Sequence, residues 1–200
     1  MPSHWLPLLL CLAGLGALAV NSWRSRRAGV DPWALPAGDD ANGYLARCYF
    51  WLVGAALLLL FAWALAPAWS LRVFGALPLL LHPVPAWIGI TLILAGFVLA
   101  LVAQKAMGDG WRIGIPRRER LPLVTRGPFR FSRNPAFLGI LLCAFGLGLA
   151  IPHALSVAVL AATSVALSVQ VRLEEAYLEG WLGAEYLGYK ARTGRWLSLR

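Results

Sequence analysis

The chain has 200 residues, of which 60% are hydrophobic and 14% charged, with a net charge of +9 and a mean hydropathy of +0.67. A soluble domain carries about 25% charged residues, so this composition excludes an ordinary soluble protein and places the chain in a membrane as one domain, residues 1–200. The positive charge does not indicate nucleic acid, because the cations cluster between apolar runs instead of covering a soluble face.

A spanning helix needs about 20 apolar residues. The first candidate is 5–20. It lacks a basic residue ahead of it and is followed by Arg24, Arg26 and Arg27, which reads as an uncleaved first span with its N-terminus outside. The segment 28–43, rich in Pro, Gly and Asp, is a linker without chemistry. The second span is 44–66, ended by Pro67. Residues 69–81 are short and interrupted by Pro78, consistent with an interfacial or re-entrant piece. The third span is 86–103. The fourth, 135–150, forms a hairpin with the fifth, 154–171, through a tight turn at 151–153. The expected fold is therefore an all-α membrane protein of about five spans, followed by a C-terminal helix.

Three Arg lie in 21–43, eight Lys/Arg against two acids in 104–133, and five in 172–200, whereas 67–85 holds only Arg72. With five spans all three basic regions share one side, which the positive-inside rule makes cytoplasmic. Sixteen Arg against two Lys suggest a GC-rich bacterial genome, hence a bacterial inner membrane. The cysteines Cys11, Cys48 and Cys143 lie in apolar runs and read as small buried hydrophobes. His4, His82 and His153 show no metal-ligand spacing, and no metal is expected.

The stretch RGPFRFSRNPAFLG, 126–139, sets Arg126, Arg130 and Arg133 at the mouth of the fourth span. Such arginines can snorkel to lipid phosphates and hold topology. Pro135 suits the first position of a helix, and Asn134 suits its N-cap. Beyond the hairpin, Glu174 and Glu175 stand where the fifth span leaves the bilayer; carboxylates there are usually paired or functional, although a solvated helix start with Arg172 as partner also fits. Tyr177, Leu178 and Trp181 share one helical face, and Tyr186, Tyr189 and Arg192 share another.

The order Gly127-Pro128-Phe129-Arg130, Arg133-Asn134-Pro135-Ala136-Phe137-Leu138-Gly139, Glu174-Glu175, Leu182-Gly183, Tyr186, Tyr189 and Arg192 resembles the isoprenylcysteine carboxyl methyltransferase family and its phospholipid methyltransferase relatives. The segment 107–115, MGDGWRIGI, is similar to the loop before this pattern in bacterial members. The resemblance covers 104–196; residues 1–103 carry no signature. It implies a membrane methyltransferase using S-adenosylmethionine on a lipophilic acceptor, in contact with membrane lipids. It also implies a cofactor pocket built from Gly127, Pro128, Arg130, Arg133, Asn134, Pro135, Phe137, Gly139, Glu174, Glu175, Tyr186 and Tyr189, with Arg133 and Glu174 as the catalytic pair, brought close by the hairpin. Asn134 stands where the family usually has His, and Phe129 and Phe137 where Tyr is common. Asn hydrogen-bonds but does not titrate near neutral pH, which weakens a proton-transfer role there. Arginine can clamp the cofactor's carboxylate in a bidentate way, and Glu can accept from its ribose hydroxyls. A carboxylate, an amine, a thiol or a phospholipid head group all remain open as acceptor. Two rival classes are a nicotinamide-dependent membrane reductase of sterol-reductase type, whose C-terminal pattern is loosely similar, and a non-catalytic membrane protein whose cations only set topology.

Overall fold

The computed structural model describes residues 3–27, 40–111 and 123–197. Most of the linker 28–43, residues 112–115 of the loop 107–115, and the cluster Arg117, Arg118 and Arg120 lie outside the described residues. The described chain is all-helical: α1 (Trp5–Arg27), α2 (Ala41–Leu65), α3 (Pro67–Phe74), α4 (Pro83–Met107), α5 (Pro135–Ala150), α6 (Ala154–Leu182) and α7 (Ala184–Arg192). One-turn 3-10 helices occupy Pro78–Leu80, Gly108–Gly110 and Gly127–Arg130.

Local chemistry explains the boundaries. Asp40 caps α2 by accepting from the Gly43 amide at 2.8 Å, satisfying a helix-end donor. Prolines begin α3, α4 and α5, where their missing N–H is harmless. Gly75, at φ +76°, ends α3, and Gly183, at φ +54°, separates α6 from α7.

Four helices, α1, α2, α4 and α6, are long and apolar enough to cross a membrane. The fourth expected span, 135–150, is α5, apolar but only 16 residues long, about 24 Å against the roughly 30 Å of a hydrocarbon core. Pro135 fixes its start and the turn at Pro152 its end. It nevertheless returns the chain from the end of α4 to the start of α6, antiparallel to both. The expected short piece at 69–81 is α3 plus a 3-10 turn. It is stitched to the α5–α6 turn by the bridge Ala76–His153 and by the Leu77 amide donating to the Pro152 carbonyl at 2.9 Å. The largest difference is at the C-terminus. The fifth span was expected to finish at 171, but α6 runs on to Leu182, because no proline or positive-φ glycine interrupts it before Gly183. Glu174 and Glu175 therefore belong to an uninterrupted helix, and the reading of a solvated helix start is set aside.

The tightest contact is α4 against α5. A Cβ on Gly96 would sit 2.4 Å from the Gly139 carbonyl oxygen, and one on Gly89 2.5 Å from that of Gly146. The spacing of seven on both helices places the glycines on facing stripes, and small residues let two backbones touch without side chains between them. At one end, Gln104 Nε2 of α4 donates to Ser22 Oγ of α1 at 2.9 Å. This brings the α1 C-terminus, the α4 C-terminus, the α5 start and the last turns of α6 to one end of the bundle, so the basic regions gather there.

Candidate active site

Glu175 is the centre of the basic end. Its side chain is only 4% exposed, and that of Arg133 only 7%. Arg133 donates to it from Nε at 3.1 Å and from Nη2 at 3.0 Å to Oε1 and 3.1 Å to Oε2. Arg133 Nη1 donates to the carbonyls of Thr193, at 2.6 Å, and Lys190, at 3.2 Å. Arg195 takes the other carboxylate oxygen from Nη2 at 2.9 Å and Nε at 3.1 Å. Asn134 Nδ2 completes the set, donating to Glu175 Oε1 at 3.1 Å and to the Arg195 carbonyl at 3.2 Å. A buried carboxylate loses its hydration, and this fork of guanidiniums replaces it.

The tail is tied to the helix mouth by the same groups. The Arg133 amide donates to the Gly194 carbonyl at 3.0 Å. Tyr189, on the buried face of α7, donates its hydroxyl to the Phe129 carbonyl at 2.7 Å. Burial pushes this phenol up to about 12, and burial likewise raises that of Tyr186. Lys190 pairs with Glu179 of α6. Segment 126–134, the end of α6 and residues 184–196 thus form one closed knot.

The structure places the expected site residues as follows, in part differently from expectation. Arg133 was expected beside Glu174, but it grips Glu175, since successive side chains on a helix point about 100° apart and α6 turns Glu175 toward α5. All three guanidinium nitrogens of Arg133 are used within the protein, so it is not poised to clamp a ligand carboxylate. Asn134 holds the N-cap position of α5 but makes no side-chain cap; its amide is drawn to the Glu175 charge. Gly139 lies in the α4 contact, where a Cβ would meet the Gly96 carbonyl at 2.5 Å. The one-turn helix Gly127–Arg130, Pro135 and the half-buried Phe137 flank the knot. Tyr186 and Tyr189 are buried in it, whereas Arg192, expected on the same face, is exposed.

Glu174 points elsewhere. Among the described residues its one hydrogen-bond donor is Gln170, Nε2 to Oε1 at 2.8 Å, and it lies within electrostatic range of Tyr49 on α2. Tyr49 borders an apolar cavity of about 230 Å³ lined by residues of α1, α2, α4, α5 and α6. Arg126 and Arg130 are exposed and make no ion pair among the described residues. Sequence reasoning missed Arg195, Gln170 and Tyr49. Arg195 was visible only as part of a basic end, and Tyr49 lies in a helix without any signature.

A profile of the family described as phospholipid methyltransferase matches residues 84–185, half of the chain. It spans α4, the arginine-rich mouth, α5, α6 and the Glu pair, and it bears out the resemblance read from the motifs. Comparison with individually curated proteins gives no match.

Proposed function

This chain belongs to the phospholipid methyltransferase family of membrane methyltransferases, and we propose that it transfers a methyl group from S-adenosylmethionine to a lipophilic acceptor held between its helices. The observation that carries the proposal is Glu174. It is a carboxylate inside the matched segment, held at one oxygen by Gln170 and within electrostatic range of Tyr49, which borders an apolar cavity. Carboxylates this close to apolar spans are costly and tend to be functional.

The donor set fits the cofactor. Its carboxylate needs a cation, and Arg126 and Arg130 are exposed and unpaired among the described residues. Its adenine needs an apolar face, and Phe131 is exposed beside Arg130. When bound, the cofactor supplies an electrophilic methyl group, which the acceptor's lone pair takes while the carbon–sulfur electron pair stays on sulfur. The chain's own work is positioning. Arg130, with Arg126, binds the anion. The Glu175 knot fixes the segment that carries these arginines, and α7 covers the knot and keeps water from it. Glu174 Oε2, not bonded to Gln170, receives the proton that an amine or hydroxyl acceptor releases. Holding donor and acceptor aligned contributes about 7–11 kcal/mol to such a reaction. We assign the basic end to the cytoplasm, following the positive-inside rule.

The test is label transfer from methyl-tritiated S-adenosylmethionine to a bacterial lipid extract by detergent-purified protein. Glu174→Gln is expected to abolish transfer while the protein stays folded. Absence of both cofactor binding by calorimetry and transfer from the parent protein would overturn the reading.

A further inference from the structure

The end of the bundle far from the Glu175 knot holds a buried titratable side chain that the candidate site does not use. His153 stands just before Ala154, the first residue of α6, about 33 Å of helix from Glu175 at roughly 1.5 Å per residue. Its side chain is fully buried, and both ring nitrogens lack a hydrogen-bond partner among the described residues. Its ring meets Trp63 of α2 at 5.6 Å and 84°, and Phe74 of α3 at 5.6 Å and 58°. The backbone on either side of it is stitched to the end of α3. Ala76 bridges to His153, the Leu77 amide donates to the Pro152 carbonyl at 2.9 Å, and the Ala154 amide donates to the Gly75 carbonyl at 2.7 Å. Leu71 of α3 packs on the buried cluster that contains Leu60, Trp63 and Ile151.

This end of the protein has no anion to offer. Residues 41–108 and 120–173 contain no Asp or Glu. On the elements around His153 the other ionisable side chains are His4, Arg72 and His82, all exposed. A proton on His153 would therefore create a desolvated cation with two N–H groups and no acceptor, and such a charge is costly to bury. Attraction to the Trp63 ring, within about 6 Å, offsets part of that cost but supplies no lone pair for either N–H. Water supplies both once the ring is exposed. We propose that His153 is an acid-sensitive clasp, which holds α3 to the α5–α6 turn while neutral and releases it when protonated. Release opens the core beneath Leu71 to water. The proposal rests on neither the cofactor nor the acceptor. Burial lowers the pKa of His153 from its usual 6.5. The closed state thus binds its proton less readily than the open one, so the clasp is at full strength above pH 6.5 and weakens as pH falls below it. Between pH 7.5 and 5.5 one such group weakens it by at most about tenfold. On the sidedness assigned above, the clasp faces the outer solution.

The test is hydrogen exchange of the full chain in nanodiscs at pH 7.5 and 5.5, with rates corrected for the intrinsic pH dependence of amide exchange. Peptides covering 72–80 and 150–158 carry the amides of Leu77 and Ala154. In the parent their protection is expected to fall several-fold, up to about tenfold, at the lower pH, while peptides across the α4–α5 contact at 89–96 and 139–146 keep theirs. His153→Phe retains an aromatic ring without a titrating nitrogen and should abolish the pH response; His153→Gln is the second variant should the first not fold. His4→Gln and His82→Gln should respond as the parent does. Unchanged parental protection at 72–80 and 150–158, equal loss at the α4–α5 contact, a response that survives in a folded His153 variant, or one that disappears in His4→Gln or His82→Gln overturns the proposal.

Discussion

Removing the Glu175 carboxylate tests the division of labour between the two adjacent glutamates. Glu175→Ala leaves the guanidinium of Arg133, 7% exposed, without its anion. Breaking a buried pair by deleting one partner costs about 3–5 kcal/mol, because the remaining charge stays desolvated. Arg195, about a third exposed, escapes to water and adds little. Asn134 Nδ2 keeps its bond to the Arg195 carbonyl only if the tail stays docked. Glu174→Gln keeps the shape of its side chain and disturbs one hydrogen bond from Gln170, worth about 0.5–1.5 kcal/mol. Denaturant titration of both variants in mild detergent should therefore show a large stability loss for Glu175→Ala and a small one for Glu174→Gln. Label transfer from the cofactor should fall in both, but in Glu174→Gln it falls without unfolding. A Glu175→Ala protein as stable as the parent would refute the reasoning, since no closed knot would then depend on that charge.

Three further outcomes follow from named contacts. Gly96→Ala, whose Cβ meets the Gly139 carbonyl at 2.4 Å, should destabilise the α4–α5 pair by at least about 1–3 kcal/mol, whereas Gly54→Ala, in open space, should not; thermal unfolding distinguishes them. Tyr189 has its phenol raised from 10.0 to about 12 by burial. The neutral form is the one favoured by folding, so this stabilisation is complete below pH 10 and is lost as pH rises toward 12; protease release of the tail should rise across that window in the parent, and Tyr189→Phe should flatten the pH response. Arg130→Ala should weaken S-adenosylmethionine binding about 10- to 100-fold, the scale of one charge-assisted hydrogen bond, with unchanged unfolding; parent-like calorimetric affinity would remove Arg130 from the site.

Much of the site was legible, because motif spacing reports which residues meet at helix ends. The mouth 126–135 and the Glu pair stand out together in the sequence, and Arg133 and Asn134 of the mouth do meet one of the pair, Glu175. What spacing does not report is rotation. Glu174 and Glu175 are equivalent in sequence, and only the packing of α6 against α5 on one side and α2 on the other sends Glu175 to Arg133 and Glu174 toward Tyr49. Arg195 and Thr193 were not singled out because their part depends on the tail folding back, and the irregular segment after α7 leaves no periodic trace.

Composition and hydropathy alone determined that this is an all-helical membrane protein with its cations gathered at one end, because burial in lipid demands long apolar helices and charge is excluded from them. The prolines and glycines determined most of the helix boundaries, since their backbone restrictions act locally. The tertiary structure decided the rest: that α5 is tucked against α4 by facing glycines, that Arg133 is spent on holding the tail, and that an apolar cavity is bordered by Tyr49, whose buried hydroxyl has no hydrogen-bond partner among the described residues. Each depends on how one helix is turned against another, a property of contacts between residues far apart in the chain.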